Sequence, residues 1–128
     1  MINNYILQNI IFSICILVLD LPFIRFVMFP QYDKLFKSLK LKVGFKPVYV
    51  IMAYISMILG FYLIKHKDSK TMLINGSILG LTVYGTYAFT LAAILPNYTP
   101  NLALMETAWG TSLYTLATLF TIIICRNV

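Results

Sequence analysis

The sequence predicts an all-α fold: an integral membrane four-helix bundle with a short basic interfacial helix between spans one and two. Three observations predict it. Of 128 residues, 60% are hydrophobic and only 11% charged, far from the balance of a soluble globular chain. The apolar residues gather into four stretches, at about 5–29, 47–64, 72–95 and 102–125, each near the roughly 20 residues that cross a bilayer core of about 30 Å as a helix. The connections between them are short and either basic or turn-rich, so residues 1–128 read as a single four-span transmembrane domain.

Span one opens with MINNYILQNI, which lacks a basic start. No small-residue cleavage pattern follows and the apolar run continues past Asp20 to Phe29, so it reads as a retained span rather than a signal peptide. It should end near Phe29-Pro30, because proline lacks the helical N–H and disfavours helix in the residue before it. Beyond it, Tyr32, Leu35, Phe36, Leu39 and Val43 recur at helical spacing while Lys34, Lys37 and Lys40 fill the other face. That pattern predicts a short helix lying in the membrane interface. Gly44 would stop it and Pro47 would start span two.

Span two, Pro47 to Ile64, carries tyrosines at 49, 54 and 62 and no charge, and reads as plain. The loop KHKDSK follows, with His66 read as solvated. Span three begins near Thr71, and its Gly76 and Gly80 have the small-xxx-small spacing that lets helices approach closely in lipid. The turn-rich segment from Pro96 to Asn101 makes spans three and four antiparallel neighbours. Cys15 and Cys125 fall within the first and last spans, as small apolar thiols rather than a disulfide framework or a metal site.

The formal net charge is +6, and its placement identifies the partner. Lys34, Lys37, Lys40, Lys42 and Lys46 lie between spans one and two, and Lys65, Lys67 and Lys70 between spans two and three. Such juxtamembrane lysines attract anionic lipid headgroups at about 1 kcal/mol each. The expected partners are therefore the bilayer and its anionic headgroups, with a homo-oligomer also compatible, and not nucleic acid. Both termini share one face; five lysines on the loop-one face against three lysines plus Arg126 on the other favour loops one and three as cytoplasmic.

Polar groups inside the spans need a reason. At a rise of about 1.5 Å per residue from the loop-one face, Asp20 lies about 15 Å deep and Arg25 about 7 Å, Tyr87 about 13 Å and Thr90 about 9 Å, Glu106 about 8 Å and Trp109 about 12 Å. All six share one half of the bilayer, and with Tyr84 they form a candidate intramembrane polar cluster. A charge facing lipid at a helix centre costs about 2.5–3.5 kcal/mol, so a shared location is expected. Matching depths predict an Arg25–Glu106 ion pair, with Asp20 either accepting a hydrogen bond from Tyr87 or Trp109 or itself protonated.

Leu19-Asp20 with Phe23-Ile24, the stretch Tyr84-Gly85-Thr86-Tyr87-Ala88-Phe89-Thr90-Leu91, and Glu106 with Trp109-Gly110 occur in an order and spacing that cover nearly the whole chain. In this the chain resembles the domain of unknown function 2177 family of small membrane proteins. That family's pattern has an LD pair followed by Trp-Leu, a YGTYD-x-TN stretch, and an acid followed by WG. The resemblance implies a four-span fold and no stated activity. Ala88 stands where the pattern has an aspartate and Leu91 where it has an asparagine, so a mechanism needing that second acid is in doubt here.

The residues support two leading readings. One is a small channel or transporter subunit with a polar path along Asp20, Tyr84, Tyr87 and Glu106; the other is a structural or interaction protein whose cluster only holds the bundle together. Whether a continuous water-accessible cavity reaches Asp20, and from which side, separates them, since transport needs one and glue does not. An enzyme is the weakest reading: no Gly-Xaa-Ser-Xaa-Gly elbow or His-Glu-Xaa-Xaa-His is present, and the single histidine lies in a loop. No cofactor or metal is expected.

Overall fold

Four helices are long and apolar enough to cross a membrane: Tyr5–Ser38, Pro47–Ile64, Ser69–Ile94 and Pro100–Arg126. The computed structural model describes the backbone of residues 2–41 and 46–126, and the side chains of 5–41 and 46–126. Among the described residues there are helices and no strand. The physical reason is solvent: in hydrocarbon each unpaired backbone N–H or C=O costs several kcal/mol, and a helix pairs them within itself.

Span one runs further than its sequence indicates. Helix α1 (Ile2–Phe23) passes into a π-helical segment, Ile24–Met28, and directly on into helix α2 (Phe29–Ser38). The expected end at Phe29-Pro30 is therefore corrected. Pro30 falls in the first turn of α2, just after a wide turn in which the Phe29 N–H donates to the Ile24 carbonyl five residues back. Such π adjustments let a membrane helix carry a proline by finding new partners for the backbone groups it displaces.

The basic amphipathic helix is thus α2, a continuation of span one rather than an element that follows a break. Leu35 is buried in a cluster with Met28, Ala88, Tyr98, Leu102 and Ala103, and Tyr32 and Leu39 pack against it. Lys34, Lys37 and Lys40 are exposed. Lys37 Nζ pairs with Asp33 Oδ2 at 2.9 Å, one turn back on the surface. The expected roles of Lys42, Val43 and Gly44 lie outside the described residues.

Span two consists of α3 (Pro47–Leu59) and α4 (Phe61–Ile64), separated by Gly60. A Cβ at Gly60 would come within 2.9 Å of Leu79 Cδ2 and 3.0 Å of the Met57 carbonyl, so a larger residue at this approach to span three would have to displace the end of the Leu79 side chain. Helix α4 buries Phe61 and Ile64, whereas α3 buries none of its residues. Span two is held firmly at one end and lightly along the rest.

Helix α5 (Ser69–Ile94) starts at Asp68, whose carboxylate accepts from the Thr71 amide at 3.1 Å and the Thr71 hydroxyl at 2.7 Å. That is a side-chain N-cap. Exposed His66 contributes to the same turn, its Nδ1 accepting the Asp68 N–H at 3.0 Å. Pro100 opens α6 (Pro100–Arg126).

Helices α5 and α6 pack along their length through the residues that the small-residue spacing marks out. Gly76 sits against Thr118, Gly80 against Gly110 and Tyr114, and Gly85 against Thr107, numbers that descend on α6 as they rise on α5. The two helices are antiparallel neighbours, as expected. Thr107, Thr111, Thr115, Thr118 and Thr121 turn their hydroxyls back to carbonyls four residues earlier, which lets polar side chains line this seam without orphaned donors.

Loops one and three meet where the Asn97 side chain donates to Ser38 Oγ at 3.2 Å. On the opposite face Lys65 lies 4.8 Å over the ring of Tyr5, joining loop two to the start of span one. In the half near Tyr5, Phe12, Ile16, Phe61, Ile64, Met72, Leu113, Tyr114 and Ala117 form a closed apolar core. Cys15 and Cys125 are free, part-buried thiols.

Candidate functional site

Asp20 is 2% exposed inside span one. Its carboxylate accepts a hydrogen bond on each oxygen: from Trp109 Nε1 to Oδ1 at 2.9 Å, and from the Tyr54 hydroxyl to Oδ2 at 2.8 Å. The Phe23 ring stacks on the Trp109 indole at 4.2 Å between centroids and 12° between planes, which fixes the direction of the N–H. The expected Trp109 donor is present. Tyr87 is not a donor to Asp20; Tyr54 takes that place, so span two is not plain.

Glu106, 4% exposed, lies three residues before Trp109 on α6, about 4.5 Å of helical rise. It repeats the same arrangement with different donors, the Tyr32 hydroxyl on Oε1 and the Tyr98 hydroxyl on Oε2. Tyr32 also shares a hydrogen bond of 2.8 Å with the Tyr87 hydroxyl. In loop three, burial and then the bond to Glu106 raise the Tyr98 phenol above its ordinary range.

The expected Arg25–Glu106 pair does not form. Arg25 is exposed, and the one ion pair among the described residues is Lys37–Asp33. The reason is angular. Arg25 is five residues from Asp20, which places it about 140° around an ideal helix, so equal depth did not mean a shared face. Thr90 is likewise exposed.

The other candidates, Asp20, Tyr84, Tyr87, Glu106 and Trp109, line one cavity of about 1030 Å³ between span two and the rest of the bundle. This is at the upper end of pockets that hold small molecules, which run to about 1,000 Å³. Its walls are otherwise mostly apolar, including Phe29 and Phe36 from α2, Met57 and Leu63 from span two, and Leu79 and Leu91 from α5. No lysine, arginine or histidine lines it among the described residues. The cavity exists because α3 packs lightly, and it stops at the closed core around Phe12 and Tyr114.

Gly110 explains part of the wall. A Cβ there would collide with the ring of Tyr84, so the glycine after Trp109 makes the space in which Tyr84 lies against α6. Tyr84 then meets Tyr114 edge-on at 6.5 Å.

The family described as predicted membrane protein (DUF2177) matches residues 5–123. The chain belongs to this family. No curated protein and no solved structure matches it. The DUF2177 match takes in all four spans and therefore both carboxyl groups with their four donors. Ala88 is fully buried beside the site and Leu91 lines the cavity.

Tyr32, Tyr54 and Tyr98 are the site residues that the sequence reading missed. A signal was there for Tyr54, since a phenol about seven residues inside a span needs a hydrogen-bond partner when buried.

Proposed function

We propose that the protein binds an amphiphilic molecule of the membrane in the cavity beside span two, as the cargo site of a small transporter or transporter subunit. The observation that carries this reading is the cavity itself, which reaches both Asp20 and Glu106 between largely apolar walls. An ion path is selective through rings of carbonyls or charged side chains; a chain-bearing molecule suits apolar walls with a few placed polar groups. The closed apolar core in the opposite half argues against a continuous pore.

Trp109 is the single tryptophan and lines the cavity, so it reports occupancy. In nanodiscs, a bromododecanol should quench its fluorescence to a saturating level, and Val83→Phe, which fills the cavity wall, should weaken that quenching severalfold. Quenching that only rises in proportion to probe in the bilayer, and is the same in Val83→Phe, refutes the proposal.

A structural reading is favoured by a separate observation: all four carboxylate oxygens are tied to other segments by hydrogen bonds. The two readings are compatible, since preformed donors also hold the acids in place for a ligand.

The lysines extend the proposal to the surface. Exposed Lys34, Lys37, Lys40 and Lys46 suit anionic headgroups, with α2 at the interface and loops one and three on the cytoplasmic side. A cysteine introduced at Asn97 and shielded from an impermeant thiol reagent in intact cells supports that orientation; ready labelling reverses it.

A further inference from the structure

Resting on the cavity reading above, we propose that the occupant is a cationic amphiphile: an apolar chain bearing one protonated amine, with the amine seated between Asp20 and Glu106. Charge complementarity carries the choice of head. Two carboxyl groups, each at least nine-tenths buried, face the cavity, and no basic side chain lines it among the described residues. A phosphate, sulfate or carboxylate head would meet two acids with no cation to offset them.

The hydrogen-bond inventory agrees. An ionised carboxylate offers about four lone-pair sites, and each of these two accepts two protein donors, one per oxygen. Unused acceptor capacity remains on every oxygen. An ammonium brings only donors and a positive charge, and so matches what is left. The rings on the wall fit as well: Tyr32, Tyr84, Tyr87 and Trp109 all line the cavity, and aromatic faces beside acids attract ammonium groups. The Tyr84 hydroxyl makes no hydrogen bond with any other described residue and remains available as an acceptor.

Length supports a chain rather than a small cation. The lining residues of α5 run from Leu79 to Leu91, twelve positions or about 18 Å of rise, with Tyr84 and Tyr87 between them. An amine at that level leaves apolar wall on both sides for the chain.

The test compares three probes with one chain and different heads, a bromododecylamine, a bromododecanol and a bromododecanoate, in nanodiscs of zwitterionic lipid with Trp109 fluorescence as readout. After correction for partition into empty discs, the amine should saturate at a concentration about tenfold below the alcohol, and the acid should not saturate. Asp20→Asn and Glu106→Gln should each narrow the gap between amine and alcohol severalfold. Equal binding of amine and alcohol to the unmodified protein overturns the cationic head yet leaves the cavity reading standing. Tighter binding of the acid also overturns it. Absence of saturable quenching by all three removes both proposals together. Because the comparison of heads is made on the unmodified protein, a variant that fails to fold does not blunt it.

Discussion

Trp109 donates its indole N–H to Asp20 at 2.9 Å, joining the fourth span to the first across 89 residues of sequence. The same carboxylate is held by Tyr54 from span two, so one acid ties three spans together. A hydrogen bond to a charged group contributes about 1.5–3 kcal/mol in water-soluble proteins, but interhelical hydrogen bonds in membranes average only about 0.6 and reach about 1.7. The membrane value governs here. Trp109→Phe, which keeps the stack on Phe23 and loses the N–H, should lower stability by about 1 kcal/mol in a thermal melt followed by circular dichroism in detergent. A melt no different from the parent shows that the bond is not a brace.

Gly110 makes a sharper prediction because its neighbour is a ring. Gly110→Ala forces Tyr84 away from α6, and overpacking of this kind costs about 1–3 kcal/mol. Gly85→Ala meets only Thr107 Cγ2 at 3.7 Å, an ordinary contact. The two glycine variants should therefore differ clearly in melting temperature. A Gly85→Ala melt as low as that of Gly110→Ala contradicts the packing described.

The spans were legible because lipid leaves so few choices: four apolar stretches must be four helices. Asp20, Glu106, Tyr84, Tyr87 and Trp109 were legible for the same reason, since each is too polar for its depth. Arg25 was misread because depth carries no angle, and the π-helical segment around it is invisible in a pattern of apolar residues. Tyr32 was hidden behind Pro30, which looked like a stop. Tyr98 lay in a loop, where an aromatic residue carries no sign of being folded back onto an acid.

Asp68 gives a pH dependence outside the membrane. The Thr71 hydroxyl, and then the Thr71 amide, hold its carboxyl below the ordinary carboxylate range. A group whose folded value is lowered stabilises the fold above its unfolded value, about 3.9 for aspartate, and that contribution is lost as pH falls through the folded value. Melting temperature should fall in the parent between about pH 4 and pH 2 by more than it does in Asp68→Ser, whose hydroxyl caps without titrating. Parallel pH profiles for the two proteins rule out the cap as a source of acid sensitivity.

Glu106 decides between bracing and binding. Glu106→Gln keeps shape and an acceptor but removes the charge, and one amide hydrogen-bonding pattern must now meet two phenol donors, Tyr32 and Tyr98. A pure brace predicts a lower melting temperature with no change in ligand response, and restoring stability by a second substitution elsewhere, such as a cavity-neutral surface change, should restore everything. A binding acid predicts that the loss of amine-dependent quenching persists after stability is recovered. Tyr32→Phe separates the two further, because it removes one donor and leaves the charge: binding of the amine should survive or strengthen while the melt falls by about 1 kcal/mol. If Tyr32→Phe and Glu106→Gln weaken quenching equally, the charge has no special part and Glu106 acts through the bundle alone.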